Sequence, residues 1–413
     1  MKKNHLITIL LTAIALFAAL SCSRQAHVLW QRRFDTGNAD FGSSVATDGR
    51  DIVVGTTRRD TLTVRQHTGW QLLRYDQSGN LAWQHAFDRG RFDSLADIAV
   101  AADHDIIALG HTGYGTALDP TRLLLARFSA KGDVKWQKEY QFGSITKGVA
   151  VRLDTIGRIW VCGSVATASD RASDLLVARF DSLGNLLDSV TVDFGADETG
   201  QDLLLVPSRV GALVFVAGLR TPLPGKPDTL KTGSIAVVRL DPDLHEMWRW
   251  VYHWAGDGLS GQLSWQGAVC LAVTLRKDSG VATHLVEHSS GDAGYYPQTN
   301  QEADYAGASN ANCAGLVRDR SGAILGVGAY GPNGQQRCLG WRYFRGKFTD
   351  FLSGSKYAAG ANDRADALAL DADGNLVVSG VSETGGKASI LLLKLALPRH
   401  KPPPDLWLPN MYR

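Results

Sequence analysis

Acidic side chains recur in the polar segments that precede short apolar runs of this sequence. The clearest positions are Asp40, Asp93, Asp197, Asp257 and Asp363. If these segments share one face of the folded chain, their carboxylates would form a polar rim for a protein partner, a sugar or a cation. The competing interpretation is that they are ordinary solvated loops, which are normally polar and carry no function.

No catalytic, metal-binding or cofactor-binding set stands out beside these carboxylates. His284 and His288 fall in one predicted strand, so their spacing does not give the geometry of a helical metal site. The segment 371–375 resembles a calcium loop, but it lacks the later ligands and favours a tight hairpin. The segment 290–296 resembles the Asp-box of sialidases, which is a structural turn. We therefore predict no catalytic residue, no metal and no cofactor.

The cysteines after position 22 match no zinc or haem spacing. Cys162 and Cys270 lie within apolar runs, which predicts buried free thiols that pack as small hydrophobic residues. Cys313 and Cys338 fall in one repeat, so their pairing stays open, because an exported protein meets an oxidising compartment.

The N-terminal segment, 1–22, predicts an export signal and a lipid attachment site. Lys2 and Lys3 precede an apolar run over 6–20 that is too short for a membrane span and suited to a signal peptide. The run ends in Ala19-Leu20-Ser21-Cys22, which resembles the lipobox of bacterial lipoproteins. The resemblance implies acylation of Cys22 and an outer-membrane address, on the periplasmic side or at the cell surface. The alternative is an ordinary signal peptide cleaved nearby.

Seven marks recur along the remaining chain at a near-constant period. Trp83 follows a turn that starts at Gly79, and Trp136 follows an equivalent turn at Gly132. The full series is Trp30, Trp83, Trp136, Asp188, Trp248, Tyr296 and Asp350. A near-constant period of roughly 50 residues indicates repeated structural units.

Each period holds four short apolar runs separated by turn residues. In the second period these runs are 97–100, 106–110, 123–128 and 134–138. Runs rich in β-branched and aromatic residues and bounded by Gly, Asp and Asn indicate strands. Their turns contain the glycines whose positive φ tight hairpins require. Repeated groups of four antiparallel strands predict the blades of a β-propeller.

The repeats also predict how the ring closes. The innermost runs begin near Ser44, Asp97, Gly148, Asp202, Gly261, Ala314 and Ala365. The last repeat ends with its third strand at 390–395, whereas the first element, 28–34, is an outermost strand without companions. Pairing the two would remove both open edges. The fold class predicted is therefore all-β, a single seven-bladed β-propeller closed by an N-terminal strand that completes the last blade.

The repeats resemble the bacterial propeller repeats of cell-envelope and secreted proteins (the SBBP and PQQ-like repeat superfamily). The residues that carry the resemblance are 371–375, 378–380 and 136–140. It extends over nearly all of the chain after the signal and implies the fold, but hardly any function, since such repeats serve many roles. The predicted organisation is a signal peptide (1–21), a lipid-anchored linker (22–27), the propeller (28–396) and a Pro-rich tail (397–413).

Charge and composition limit the possible partners. The formal net charge is +2 and is accounted for by Lys2 and Lys3, so the mature chain is neutral. That neutrality gives no electrostatic basis for binding nucleic acid.

Trp407 and Leu408 in the tail either pack on the propeller or contact a partner. The oligomeric state stays open.

We expect a non-enzymatic binding or scaffold module with two contacts: the membrane, through the acyl anchor, and an envelope protein partner. The alternative is a lyase or hydrolase acting on a glycan or small molecule at the central channel. That alternative requires His, Glu or Arg side chains that converge at the channel mouth.

Overall fold

The computed structural model describes residues 26–35, 37, 39–59, 67–89, 91–113, 120–167, 172–208, 211–223, 233–252, 257–265, 269–277, 280–288, 299–305, 310–332, 335–344, 347–352 and 360–397. Every regular element within these ranges is a β-strand, as the sequence predicts. No helix in this part of the chain is long and apolar enough to cross a membrane. The predicted signal peptide, Cys22, the Asp-box-like segment and the tail from residue 398 lie outside the described residues.

The strands form one eight-stranded sheet and five four-stranded sheets, with antiparallel pairing throughout except for one residue pair. The eight-stranded sheet consists of two halves, and only the parallel pair Thr68–Phe92 joins them. One half contains β2 (Ala39–Thr47), β3 (Asp51–Arg59), β4 (Thr68–Asp76) and β5 (Leu81–Phe87). The other contains β6 (Phe92–Val100), β7 (Ile106–Gly113), β8 (Arg122–Phe128) and β9 (Val134–Tyr140).

Three four-stranded sheets follow in chain order. The first contains β10 (Ile145–Leu153), β11 (Ile159–Ala166), β12 (Ser173–Phe180) and β13 (Leu186–Val192). The second contains β14 (Asp197–Ser208), β15 (Gly211–Thr221), β16 (Ser234–Leu240) and β17 (Glu246–Tyr252). The third contains β18 (Asp257–Trp265), β19 (Val269–Lys277), β20 (Gly280–His288) and β21 (Thr299–Tyr305).

The last two sheets include the one that brings the chain ends together. One contains β22 (Gly315–Arg318), β23 (Ile324–Tyr330), β24 (Arg337–Phe344) and β25 (Lys347–Leu352). The other contains β26 (Asn362–Leu370), β27 (Leu376–Thr384), β28 (Lys387–Ala396) and, as its outermost strand, β1 (His27–Phe34). The predicted pairing of the N-terminal strand with the last repeat is confirmed, with His27 opposite Ala396 and Phe34 opposite Ile390.

The innermost strands lie side by side around a central cavity. β2 lies beside β6, β6 beside β10, β10 beside β14, β14 beside β18, β18 beside β22, β22 beside β26, and β26 beside β2. Six of the seven have a register shift near their start, for example between Leu95 and Asp97. Such β-bulges bend a strand and increase its twist.

The bulges explain why the sequence places the starts of most innermost strands too late in the chain. All innermost strands except β22 begin three to five residues earlier than predicted, for example β6 at Phe92 rather than near Asp97. The bulge interrupts the alternation of apolar and polar residues, so the segment before it does not look like part of the same strand. The five predicted rim aspartates were therefore wrongly assigned to loops: each is the first or second residue of an innermost strand.

Apolar side chains from adjacent sheets fill the spaces between them. Between the halves of the large sheet, Trp70 and Leu72 pack with Ile106 and Leu124. All four are fully buried. Burying one such side chain contributes about 1.5–3 kcal/mol. The hydrophobic core is therefore distributed between the sheets.

A second contact joins the outer parts of neighbouring sheets, and we call it the Trp–Gly latch. The Trp30 indole donates to the Gln77 carbonyl oxygen over 3.0 Å and lies against Gly79 of the next sheet. A Cβ atom at Gly79, where φ is +80°, would come within 2.8 Å of that indole. The pairs Trp83–Gly132 and Trp136–Gly184 repeat this packing. The latch explains why glycine recurs in the Gly-x-x-x-Trp repeat. The turn glycine of each latched pair packs against the tryptophan of the preceding repeat.

The contact between the β10–β13 sheet and the β14–β17 sheet lacks this latch. Asp188 occupies the tryptophan position on β13, as the sequence alignment shows. Leu244 is the positive-φ residue of the turn before β17, at φ +64°. Its side chain is buried and packs with Val190 of β13 in the core. The outer part of this interface is therefore built differently from the three latched ones.

Candidate functional site

The central cavity has a volume of about 660 Å³ and is lined by the innermost strands. Its wall includes the charged side chains of Asp97, Arg152, Asp202 and Asp366. Gln201 also lines it. Cavities of this size are typical of small-molecule sites. The bonds made by the charged groups therefore decide whether the wall is available for a ligand.

Arg152 links two carboxylates of neighbouring sheets. Its Nη1 lies 2.7 Å from Oδ2 of Asp97 on β6. Its Nη2 lies 2.8 Å from Oδ1 of Asp202 on β14. Burial raises the pKa of Asp202, although the Arg152 charge opposes that shift. Burial alone would lower the pKa of the guanidinium, but the two carboxylates keep it above its usual value. These three groups hold three sheets together by charge.

The same carboxylates also accept backbone N–H groups from the next sheet. Asp97 Oδ2 accepts from the Val151 amide at 3.0 Å, and Asp202 Oδ2 accepts from the Leu263 amide at 2.9 Å. Ser44 on β2 donates its hydroxyl to Asp97 Oδ1 over 2.7 Å. Buried polar groups in proteins normally have such partners. This part of the wall is thus a network that joins β2, β6, β10, β14 and β18.

Asp366 lies on β26, the innermost strand beside β2. Its Oδ1 accepts from Arg364 Nε at 2.9 Å, and Ser43 also bonds to the carboxylate. Burial raises the pKa of Asp366, while the Arg364 charge lowers it. A carboxyl group with a raised pKa in a cavity is a candidate for binding or proton transfer.

The predicted rim aspartates fall into two groups by their contacts. Asp40, Asp93 and Asp363 are buried. Asp363 Oδ2 accepts the Gly360 amide at 3.0 Å, and Arg89 lies 3.2 Å from Asp93. These two bonds hold the loops that precede β26 and β6.

Asp197 and Asp257 are partly exposed and bond to the previous sheet instead. Asp197 Oδ1 accepts the Ser173 amide at 2.9 Å. Asp257 Oδ1 accepts the Gly233 amide at 2.6 Å. All five aspartates therefore lie near one end of the innermost strands, but the structure brings them into separate contacts and not into one shared site.

Three arginines converge on one glutamate close to Asp93. Glu139 on β9 accepts from Arg89 at 2.8 Å, Arg91 at 3.0 Å and Arg122 at 3.1 Å. Burial tends to raise the pKa of Glu139, but the bonds from Arg122 and Arg89 prevail and hold it below its usual value. No local pattern in the sequence indicates this cluster, because its arginines and its glutamate come from distant parts of the chain.

Three further carboxylates, which we call the carboxylate cluster, meet where the β10–β13 sheet joins the β14–β17 sheet. Oxygen atoms of Asp174, Asp193 and Glu198 lie within 4.8 Å of one another. Glu198 is fully buried, and its Oε2 has no hydrogen-bond partner. Burial, with repulsion from Asp193 and Asp174, raises the pKa of Glu198 to about 7.

Apolar side chains are exposed on the outer strands near the same interface. Of the eleven exposed large apolar side chains in the described part of the chain, five lie on β13, on β17 or in the turn before β13. These five are Leu183, Leu186, Leu187, Met247 and Trp250, with exposed fractions from 40% to 63%. We call them the outer-edge patch.

The remaining sequence-based predictions concern the cysteines and the 371–375 turn. Cys162 and Cys270 are buried free thiols, as predicted, and Cys313 and Cys338 are also free and buried. Burial raises the pKa of all four thiols above the usual range. Segment 371–375 is a turn in which the Asp371 carboxylate accepts backbone amides and the Asn375 side chain. It is therefore the hairpin turn that the sequence favours.

No protein-family profile and no curated protein matches this chain. The polysaccharide lyase Uly1 aligns with a TM-score of 0.54 at 10% identity, over 87% of this chain and 90% of the lyase. Drosophila Plexin A, in complex with Semaphorin 1b, aligns with a TM-score of 0.50 at 8% identity, over 90% and 88%. The β-propeller domain of the Trilobed protease from Pyrococcus furiosus aligns with a TM-score of 0.46 at 9% identity, over 89% and 97%.

These likenesses concern the fold alone, since a propeller can carry binding or enzymatic functions. This chain has sheets of four antiparallel strands, innermost strands around a cavity and paired chain ends, which are features of a propeller. The chain is an all-β protein with a β-propeller fold.

Proposed function

We propose that the protein is a lipid-anchored β-propeller of seven blades that acts as a binding or scaffold module for a protein partner in the cell envelope. The topology supports the blade number, because one residue pair alone joins the two halves of the eight-stranded sheet. Counting each half as a blade gives seven blades of four strands. β1 then completes the last of them.

The outer-edge patch is the observation that carries the binding proposal. Met247 on β17 and Leu187 on β13 are 41% and 49% exposed on adjacent sheets. Exposed apolar groups that cluster on one side of a protein mark interaction sites, whereas isolated ones are normal. Trp250, which is 40% exposed, adds the residue type most enriched at the energetic centres of interfaces.

The bonds of the cavity wall favour a structural role for most of its charged groups. Asp97, Arg152 and Asp202 bond to one another and to neighbouring backbone amides. A ligand that engaged them would have to break bonds between blades. This arrangement supports a binding module without chemistry of its own.

A second candidate is a small ligand, or an enzymatic reaction on a glycan or small molecule, at the central cavity. The volume of about 660 Å³ and the raised pKa of Asp366 favour it. Gln201 and Gln262 lie on the same wall and offer amide groups for hydrogen bonds. Binding of a small molecule that is lost on Asp366→Asn would establish this alternative.

The polar rim remains a second proposed contact for the partner. Asp197 and Asp257 are its accessible members, whereas Asp40, Asp93 and Asp363 are buried, and Asp93 and Asp363 bond to the loops that precede their strands. We expect charge removal at Asp257 to weaken partner binding less than a change in the outer-edge patch. Exposed polar contacts at the periphery of an interface contribute little.

The lipid anchor at Cys22 supports the proposed envelope location. Replacing Cys22 with Ser should release the protein from the membrane fraction, and labelled fatty acid should enter the wild type alone. Membrane association of the Cys22→Ser variant would contradict the anchor.

Crosslinking and affinity recovery from membranes test the binding proposal. The native anchored protein should recover a reproducible set of envelope proteins, and the Leu187→Glu/Trp250→Glu variant should lose it. Leu81→Glu is the matched control, because Leu81 is 42% exposed on the outer strand β5 far from the patch. Recovery of the same proteins by all three would show that the patch is not the contact.

A further inference from the structure

The carboxylate cluster is formed by elements from both sides of one interface between sheets. Asp174 is the second residue of β12 in the β10–β13 sheet, and Glu198 is the second residue of β14 in the next sheet. Asp193 lies on the connection between β13 and β14. Any group that binds all three carboxylates therefore joins the two sheets.

The distances suit one metal ion. Oxygen atoms of the three carboxylates lie within 4.8 Å of one another. Calcium binds oxygen ligands at 2.3–2.6 Å, so two ligands of one ion lie at most about 5 Å apart. The three side chains therefore need only small rotations to share an ion.

Glu198 supplies an independent indication that a cation is bound. Its side chain is fully buried, and Oε1 accepts the Ala196 amide at 2.8 Å. The Phe194 amide also favours the charged carboxylate, but Oε2 is buried and no donor meets it with hydrogen-bond geometry. A buried carboxylate oxygen without a partner is costly, and a cation is the partner that such an oxygen would take.

The neighbouring arginines bond to Glu246 on β17 and to backbone carbonyl groups of the loop between β13 and β14. Arg249 bonds through Nε and Nη2 to the Glu246 carboxylate, at 2.7 and 2.5 Å. Its Nη1 donates to the Asp193 carbonyl, and Arg220 Nε donates to the Phe194 carbonyl at 3.2 Å. The last two bonds fix the loop between β13 and β14 through its backbone carbonyl groups. Their positive charge should keep the affinity for a cation moderate.

We propose that Asp174, Asp193 and Glu198 bind one Ca²⁺ ion that joins the β10–β13 sheet to the β14–β17 sheet. Calcium is favoured over Mg²⁺, because it accepts irregular sets of carboxylate ligands whereas Mg²⁺ requires near-octahedral geometry. We expect a dissociation constant of about 10⁻⁴–10⁻³ M, as in modules that work outside the cell. The ion stabilises an interface that lacks the Trp–Gly latch. This proposal does not depend on the partner.

Calorimetric titration of the full chain with CaCl₂, after removal of metals with EDTA, tests the proposal. We expect one site per chain, much weaker binding of MgCl₂, and at least tenfold weaker Ca²⁺ binding by Glu198→Gln. Asp188→Asn is the matched control, because Asp188 is exposed on β13 outside the cluster and should leave binding unchanged.

Thermal unfolding supplies a second readout. In EDTA, Glu198→Gln should be at least as stable as the wild type, because it removes a buried repelled charge, and added Ca²⁺ should stabilise only the wild type. If Glu198→Gln fails to fold, Asp193→Asn at an exposed position replaces it. No saturable Ca²⁺ binding at millimolar concentration, or wild-type binding by both variants, would overturn the proposal.

Discussion

The outer parts of neighbouring sheets are joined by different contacts in this protein. At three interfaces a tryptophan of one sheet covers a turn glycine of the next, as Trp30 covers Gly79. Between β10–β13 and β14–β17, Asp188 and Leu244 occupy these positions, with the carboxylate cluster and the outer-edge patch nearby. The repeated latch thus joins the sheets where it is kept, and the carboxylate cluster and the outer-edge patch lie at an interface where it changes.

Breaking a latch should have the largest effect on stability. Gly79→Ala places a Cβ within 2.8 Å of the Trp30 indole at a φ of +80°. We expect a loss of about 2–4 kcal/mol, from the left-handed backbone and from overpacking together. Urea unfolding measures it.

Gly157→Ala separates these two causes. Gly157 has a φ of +82° but no atom within 4 Å of its added Cβ, so it should lose about 1–2 kcal/mol from the backbone alone. Equal losses of unfolding free energy in Gly79→Ala and Gly157→Ala would mean that the clash with the Trp30 indole does not contribute to the loss.

Removing the charge that joins three sheets should have the next largest effect. Arg152→Met leaves Asp97 and Asp202 without their shared cation, which costs about 3–5 kcal/mol for a fully buried pair. Because the Arg152 side chain is 39% exposed to the cavity, we expect about 1–3 kcal/mol. The Asp97→Asn/Arg152→Met double variant should lose less than Arg152→Met alone in the same urea assay. A larger loss would contradict the charge argument.

A half-buried histidine at a latched interface should make stability depend on pH. Burial, with repulsion from Lys147, lowers the pKa of His111 from 6.5 to about 4. Between these values the unfolded chain binds a proton that the folded chain does not, so stability falls as the pH decreases. From pH 7 to 5 the wild type should lose about 1–2 kcal/mol more than His111→Gln. Unfolding curves of both proteins at both pH values measure this difference. Equal losses of stability in the wild type and in His111→Gln would show that the His111 side chain is solvated in the folded protein.

Changes in the outer-edge patch should have the smallest effect on stability. Leu187→Glu replaces a side chain that is 49% exposed, so its unfolding free energy should stay within about 0.5 kcal/mol of the wild type. The midpoint of urea unfolding measures it. A loss above about 1 kcal/mol would show that the patch belongs to the core of the fold.

The sequence predicts the architecture well, because the repeat is carried by local signals. Turn glycines such as Gly132 and Gly374 have the positive φ that their turns require, and the pairing of β1 with β28 follows from the incomplete first and last repeats. The boundary errors at the innermost strands come from bulges, which alter the local alternation of side chains. Local sequence patterns are thus enough to predict that these strands and turns exist, although not where every strand begins.

The candidate sites are much less predictable, because their members come together only through packing of the sheets. Asp174 near the start of β12 and Glu198 near the start of β14 are separated in sequence by the rest of β12 and the whole of β13, and they lie on different sheets. The sequence placed Asp93 and Asp363 in an open rim, but the fold buries both. Polarity alone does not distinguish a solvated carboxylate from one that holds a loop.

Photocrosslinking from the outer-edge patch tests whether the partner contacts this patch. A photoreactive amino acid at position 187 or 250 of the anchored protein, irradiated in intact cells, should give one shared crosslinked species. The same amino acid at Leu81, which is similarly exposed on a latched sheet, should not give it. Equal crosslinking from Leu81, or none from positions 187 and 250, would contradict the claim that the unlatched edge is the contact surface.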